Sequence, residues 1–298
     1  MKKLIFLLLA MPLIFSSCSQ DEEYSAGETV QVNFYAQLPQ ELGTRASSTL
    51  SVDRVYCAVF EGENEIKNLR KTIEIVPDGE IVFSPRLIKG RTYNIVFWAS
   101  KDGAYNVENM TAITRNTGVA EADFDAFTAT TTVTVENSVG LNITLVRPIA
   151  QLNMGVTPED WQGVAGSNTF NMLPKNIVLS FEGKDTFNAL EGKAVGESKT
   201  LTYNLEVSGD EFTCKGNTYK NIAMCYVLAE SEKQLVDLTY TISAEGNKII
   251  RQDVGIPSVP LQRNYMTNVV GGLLTGTITY TINFGGAFLT GDDFNKEI

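Results

Sequence analysis

Apolar and polar residues alternate in short segments along most of this 298-residue chain. In the first such segment, residues 30–38, the even-numbered residues are apolar and the intervening residues are Gln, Asn or Tyr. A period of two is typical of a β-strand with one buried face. Similar segments recur between Gly, Pro, Asn and Asp turns, and no window shows a long helical stripe. The pattern predicts an all-β fold made of antiparallel β-sandwiches.

A break at Arg147-Pro148 divides this series of predicted strands in two. One strand runs into Pro148, which cannot donate a ladder hydrogen bond, and a new strand begins at Ile149. We therefore expect two tandem antiparallel β-sandwiches, at residues 46–148 and 149–298. The sequence shows no evident internal repeat between them.

The first 17 residues have the composition of a secretory signal peptide. Lys2 and Lys3 precede the apolar residues 4–15, and Cys18 follows two serines. An apolar segment of this length indicates a signal peptide rather than a membrane span. The alternative to the lipoprotein interpretation below is an ordinary signal peptide with an incidental cysteine.

Cys18 makes this segment resemble a bacterial lipoprotein signal, and the acidic residues 21–23 resemble the surface-export signal of Bacteroidetes lipoproteins. The resemblance implies cleavage before Cys18 and lipidation of that cysteine, with palmitate among the attached chains. It also implies that outer-membrane lipid is a partner and that the protein lies at the surface of the outer membrane.

The charge and the absence of histidine exclude several functions. The formal net charge of −11 repels phosphate backbones, which argues against nucleic-acid binding. Without histidine there is no Ser-His-Asp or Cys-His catalytic arrangement and no His-ligated zinc. Glu121, Asp123 and Asp125 alternate as in a calcium loop but lack its required glycine, so we interpret them as loop acids. We predict no enzyme activity, no cofactor and no metal.

Three cysteines remain if Cys18 carries lipid, so at most one disulfide can form. Cys214 and Cys225 flank a predicted hairpin turn and are the better candidates for a bridge. Cys57 lies within an apolar segment and is expected to be a small buried residue.

Five segments make the chain resemble the fimbrillin superfamily of Bacteroidetes, which comprises the subunits of type V pili and their lipoprotein relatives. None of the five is a catalytic signature, and their order and spacing along the chain carry the resemblance. The segments are the acidic-flanked Cys18, residues 43–46, 95–99, 145–150 and 259–269.

The resemblance implies two transthyretin-like sandwiches and assembly by strand exchange. In the family, an arginine-specific protease removes a lipidated leader with its first strand, and a strand of the next subunit fills the groove. Here the leader would be residues 18–45, with cleavage between Arg45 and Ala46. Alternatively, Arg45 is an ordinary loop arginine and the uncut protein is an anchor or accessory protein. Other pilus subunits are the implied partners.

The predicted donor strand lies near the C-terminus, where apolar residues alternate with Thr and Asn. This pattern suits an inserted strand and equally suits an ordinary last strand of a sandwich. The residues on the apolar face are Ile278, Tyr280, Ile282 and Phe284.

A second hypothesis is a cell-surface glycan-binding lipoprotein that works with an uptake system. Trp161 or loop tyrosines such as Tyr105 would form its sugar platform, although Trp161 also suits interdomain packing. Two connections are long, at residues 103–128 and 185–198, and we expect the second to be mobile. A host protein or glycan is the corresponding partner.

Overall fold

The computed structural model describes residues 27–39, 52–76, 79–166, 173–287 and 296–297. Most of these residues lie in β-strands, so the prediction of an all-β fold is confirmed. No helix within the described residues is long and apolar enough to cross a membrane.

The strands fall into two groups along the chain. The first group is β1 (Thr29–Gln31), β2 (Asn33–Gln37), β3 (Arg54–Glu61), β4 (Asn64–Glu65), β5 (Lys71–Glu74), β6 (Ile81–Phe83), β7 (Arg86–Ile88), β8 (Thr92–Ser100), β9 (Tyr105–Asn106), β10 (Ile113–Arg115), β11 (Ala126–Thr134) and β12 (Gly140–Thr144). The second group, which includes one α-helix, is β13 (Ile149–Val156), α1 (Pro158–Gly166), β14 (Pro174–Gly183), β15 (Thr186–Asn188), β16 (Lys193–Val195), β17 (Lys199–Glu206), β18 (Glu211–Cys214), β19 (Asn217–Leu228), β20 (Gln234–Ala244), β21 (Ile249–Leu261), β22 (Tyr265–Gly272), β23 (Thr279–Ala287) and β24 (Lys296–Glu297). Short 3-10 turns occur at Lys67–Leu69, Glu121–Phe124 and Glu245–Asn247.

Each group forms a sandwich of two sheets. In the N-terminal sandwich, the sheet β12-β2-β6 faces the sheet β11-β8-β3, with β5 and β4 pairing to β3. In the C-terminal sandwich, the sheet β18-β19-β13-β22-β23-β24 faces the sheet β17-β14-β20-β21. The ranges 46–148 and 149–298 remain predictions. The strand β2, which lies upstream of residue 46, is itself part of the first sandwich.

The two sandwiches repeat one topology. The first long strand of each, β2 or β13, lies between a parallel neighbour (β12 or β22) and an antiparallel neighbour (β6 or β19). The facing sheets β5-β3-β8-β11 and β17-β14-β20-β21 have corresponding strands in the same chain order. The parallel pairs and this structural repeat are not visible in the period-two pattern, which reports burial rather than the direction of a neighbouring strand.

Each sandwich has its own apolar core, and a third core joins them. The N-terminal core includes three aromatic rings, Phe34, Phe83 and Phe97, with centroids 6.2 to 6.3 Å apart. The third core, which we call the junction core, contains Trp98 and Ile113 from the first sandwich and Ile149 and Phe187 from the second. The expected core position of Trp98 is therefore confirmed, with 0% of its surface exposed.

The two long connections meet in a small sheet, β16-β15-β10-β9, that covers the junction core. β10 pairs with β15, so one ladder contains strands from both halves of the chain. Phe187 in β15 is fully buried. The expectation of a mobile loop at residues 185–198 is therefore wrong, because its apolar residues pack against the other sandwich.

Candidate functional site

The leader strands β1 and β2 form the candidate functional site, and the alternation of their residues explains how they are held. Val32, Phe34 and Ala36 point into the core and are 5% exposed or less. Asn33 and Tyr35 are half-buried on the other face. The predicted strand with one buried face is confirmed.

Both backbone edges of β2 are paired. On one side β2 runs parallel to β12, with Phe34 beside Leu141, and on the other it runs antiparallel to β6, with Phe34 beside Phe83. β1 is held separately by β7, and Lys89 near its end pairs with Glu28 at 3.4 Å. β2 therefore occupies a slot whose two walls, β12 and β6, are strands of the sandwich.

Phe34 is the largest anchor of this strand. Its ring lies 6.2 Å from the ring of Phe83 and 6.3 Å from that of Phe97. Full burial of a side chain of this size contributes about 1.5–3 kcal/mol by transfer alone. Removal of β2 would expose these rings and the ladder groups of β12 and β6 together.

The predicted processing sites lie outside the described residues. Cys18 precedes residue 27, and Arg45 and Ala46 fall between Pro39 and Val52. The described chain resumes just before β3, which belongs to the opposite sheet from β2. The link that contains Arg45 therefore connects the two sheets, and its cleavage would leave no peptide bond between the leader and the sandwich.

The predicted donor strand is an integral strand of the C-terminal sandwich. Ile278 and Ile282 pack against the core, and Phe284 stacks on Tyr265 with ring centroids 5.1 Å apart. Tyr280 is 36% exposed. This is the arrangement of an ordinary last strand, and donation of β23 would first require its removal from this sheet.

One residue on the polar face of β23 is buried, whereas Thr279 and Thr281 on the same face are exposed. Asn283 is only 2% exposed, and its Nδ2 donates to Cys214 Sγ at 3.4 Å. The hairpin of β18 and the start of β19 covers the outer face of this sheet, where the ring of Phe212 and the Cβ of Tyr219 approach Gly155.

The predicted disulfide between Cys214 and Cys225 is wrong. Both are free and buried, as is Cys57. Cys214 pairs with Asn217 at the turn, whereas Cys225 lies far along β19 opposite Leu152. At about 3.3 Å per strand residue the two cysteines are roughly 26 Å apart, well beyond the reach of a disulfide. Burial raises the pKa of all three thiols, that of Cys57 to about 12.

A clamp that the sequence analysis missed joins the sandwiches. Arg115 pairs with Glu121 and donates to the backbone carbonyl of Tyr226 at 3.0 Å, while Glu121 accepts from the Tyr226 N–H at 2.8 Å. The guanidinium lies 3.5 Å from the ring centroid of Phe124. Burial lowers the pKa of Arg115, but the hydrogen bond and charge of Glu121 outweigh it and raise the pKa above its usual value. Arg115 therefore stays charged.

A second buried ion pair lies where the chain passes between the sandwiches. Arg147 Nε and Nη2 donate to the two carboxylate oxygens of Asp125 at 2.8 and 2.9 Å. Their side chains are 4% and 2% exposed. Asp125 lies in the connection before β11, in agreement with its interpretation as a loop acid, but it is buried in this ion pair. Among the described residues, no group of three or more Cys, Asp or Glu side chains is placed to hold a metal ion.

The structure gives the predicted sugar platform little support. Tyr105 is 4% exposed, and its hydroxyl donates to the carbonyl of Phe124 at 2.7 Å. Trp161 is half-buried against the core of the C-terminal sandwich and approaches Gly209, so it does not pack between the domains. A groove of about 440 Å³ at the end of that sandwich is lined by the Lys184–Glu230 pair and by exposed Leu235.

Several solved structures are similar to this chain over most of its length. A candidate polysaccharide-binding protein from Bacteroides thetaiotaomicron is 11% identical, with a TM-score of 0.54, over 87% of this chain and 96% of that one. A candidate adhesin from Bacteroides ovatus is 10% identical, with a TM-score of 0.52, over 86% and 93%. The fimbrial anchor protein Mfa2 from Porphyromonas gingivalis is 14% identical, with a TM-score of 0.48, over 87% and 97%. At these identities the likeness to the first two, whose TM-scores exceed 0.5, shows the fold alone.

A family model matches residues 23–297, which is nearly the whole chain. The protein belongs to this family, DUF6562, a family of unknown function. None of the curated proteins matches the chain.

Proposed function

We propose that the protein is a surface-anchored, fimbrillin-like lipoprotein that acts as a structural or adhesive subunit, or accessory protein, of type V pili. One observation carries the proposal: β2 fills a slot between β12 and β6 and lies upstream of Arg45. The fold shared with a candidate adhesin from Bacteroides ovatus also supports it.

The slot explains how subunits would join. Loss of β2 would leave unpaired backbone on two strands and an apolar socket lined by Phe83 and Phe97. A strand of another subunit would restore both ladders and refill the socket, which is β-augmentation. Because the donor and the slot are different surfaces, the contact is heterologous and repeats into a filament.

The anchor and stalk roles differ in processing. An anchor would keep Cys18, its acyl chains and β2, and would hold the pilus at outer-membrane lipid. A stalk subunit would begin at Ala46 and would have other pilus subunits as partners. A tip or accessory role would add a host protein or glycan as a further partner.

The intact mass and N-terminal sequence of the protein isolated from its own outer membranes test the proposal. A chain that begins at Ala46 and migrates as polymers in mild detergent would support a stalk role, and an acylated chain that begins at Cys18 would support an anchor role. An Arg45→Lys variant keeps the charge but blocks an arginine-specific protease, so it should abolish the first form only. A chain that is neither acylated nor cut at Arg45 would contradict the proposal.

A further inference from the structure

β12 forms the edge of its sheet, and the hydrogen bonds show which of its residues face the neighbouring strand. Asn33 N donates to the carbonyl of Val139, and Leu145 N donates to the carbonyl of Gln37, both at 2.9 Å. The backbone groups of alternate residues in a strand point to opposite sides. The odd-numbered residues from Val139 to Leu145 therefore face β2.

The even-numbered residues direct their backbone outward. Gly140, Asn142 and Thr144 each present an N–H and a C=O on the side of β12 away from β2, and their side chains are exposed. Within the described residues no strand pairs with this side at residues 140–144, and the first pairing on this side comes at Val146, whose N–H and C=O exchange hydrogen bonds with Thr128 of β11 at 2.9 and 2.8 Å. The sheet therefore ends in a row of three donors and three acceptors.

The C-terminal sandwich shows what covers the corresponding edge. β22 occupies the position that β12 has in the repeated topology, and β23 pairs with its outer side in antiparallel orientation. Under this cover Val269 and Val270 are 0% and 2% exposed. Leu141 and Ile143 of β12 lack such a cover and are only half-buried against their core.

The sequence of β12 does not protect its edge. Edge strands usually avoid unwanted pairing through charged residues, proline or bulges. Residues 140–144 are Gly-Leu-Asn-Ile-Thr, with neither charge nor proline, and their pairing with β2 has no register shift. Just beyond them, the side chain of Val146 is 46% exposed, while its backbone is paired with Thr128 and marks the end of the open edge.

We propose that the outer edge of β12 accepts an extended strand from another fimbrillin-like subunit. The strand runs antiparallel to β12 and turns every second, apolar residue toward the core, as Ile282 of β23 and Ile278 just before it do in the other sandwich. The inference rests on the proposed function, because it assigns a second contact to the same subunit. β12 is also a wall of the slot of β2, so the two partner strands would flank it on either side.

Amide hydrogen exchange on the uncut chain tests this contact. The probe is a synthetic peptide with the sequence of residues 277–284 and a lysine at each end for solubility. The edge is available while β2 is still in place, whereas strand exchange requires β2 to leave. We expect the peptide to slow exchange at Asn142 and Thr144 by about tenfold or more and to leave residues 33–37 unchanged.

Two variants and a control make the test specific. Asn142→Pro removes an N–H that points away from β2, so it breaks no hydrogen bond to β2. Asn142→Lys places a charge on the outer edge. Both should abolish the protection at Thr144. Asn204→Lys makes the same chemical change at an exposed position of β17 in the other sandwich and should leave the protection intact.

Three results would overturn the proposal. The first is that millimolar peptide gives no protection from amide exchange at residues 140–144. The second is that the peptide protects the Asn142→Lys variant as strongly as the unsubstituted chain. The third is that protection at residues 140–144 occurs only together with faster exchange in β2. The last result would place the peptide in the slot and would support strand exchange while excluding the edge. Absence of cleavage at Arg45 in cells would contradict the stalk role without affecting this measurement.

Discussion

Arg115 Nη1 donates a hydrogen bond to the backbone carbonyl of Tyr226 at 3.0 Å, across the junction between the two sandwiches. Glu121 closes the ring, because it pairs with Arg115 and accepts the N–H of Tyr226. The side chains of the ion pair are 22% and 16% exposed. With the β10–β15 ladder, this ring couples the sandwiches through both backbone and side-chain contacts.

Arg115→Ala should lower the free energy of unfolding by about 3–5 kcal/mol, because it leaves Glu121 buried without its cation. Urea denaturation measures the change. Lys101→Ala is the matched control, because its pair with Asp123 is 47% and 39% exposed, and should cost less than about 1 kcal/mol. Equal effects of the two substitutions would show that the clamp does not stabilise the junction.

Phe34→Ala should destabilise the uncut protein by about 3–5 kcal/mol, because it empties the socket beside Phe83 and Phe97. Gln37→Ala, at an exposed position of the same strand, should change stability by no more than about 0.5 kcal/mol. Thermal unfolding compares the two variants. A neutral Phe34→Ala would mean that the leader strand does not hold the core.

Gly155→Ala should destabilise the C-terminal sandwich by about 1–3 kcal/mol, because the added Cβ would lie 2.5 Å from two ring atoms of Phe212. Gly255→Ala, in β21, has no heavy atom within 4 Å of its added Cβ and serves as the control. Denaturation curves of the two variants test whether the β18–β19 hairpin packs tightly on the sheet. Overlapping curves would contradict that packing.

The three buried thiols should resist labelling by a disulfide reagent at pH 8 and react fully in denaturant. Burial keeps them protonated, with the pKa of Cys57 near 12 against an ordinary value of 9.0. Above pH 9 the unfolded chain loses these protons first, so their contribution to stability falls as pH rises toward 12. A native mass lower by two hydrogens, or rapid labelling of the folded protein, would contradict the assignment of free thiols.

The sequence was sufficient for the elements whose burial is local. The alternation at residues 30–38 and the apolar run around Trp98 each report local burial, and the structure buries these positions as expected, although it divides residues 30–38 between β1 and β2. A strand pattern does not specify its neighbours, so it could not reveal that β2 and β13 each have a parallel partner.

The errors have the same physical origin. Cys214 and Cys225 are close in sequence around a turn, but β19 continues so far beyond the turn that it separates them. The segment at residues 185–198 is polar in composition, yet its few apolar residues, such as Phe187, are buried by a different part of the chain. Half of the Arg115 clamp is the backbone of Tyr226, which has no residue-type signal.

The repeated topology gives this molecule an internal reference. Of two equivalent opening strands, β13 is continuous at both ends with described strands or helix, whereas β2 joins β3 through the peptide that contains Arg45. Proteolysis at that peptide would alter one unit and leave its twin intact. The effects of cleavage on the N-terminal sandwich could then be measured against the C-terminal sandwich, which has the same topology and is present in the same sample at the same concentration.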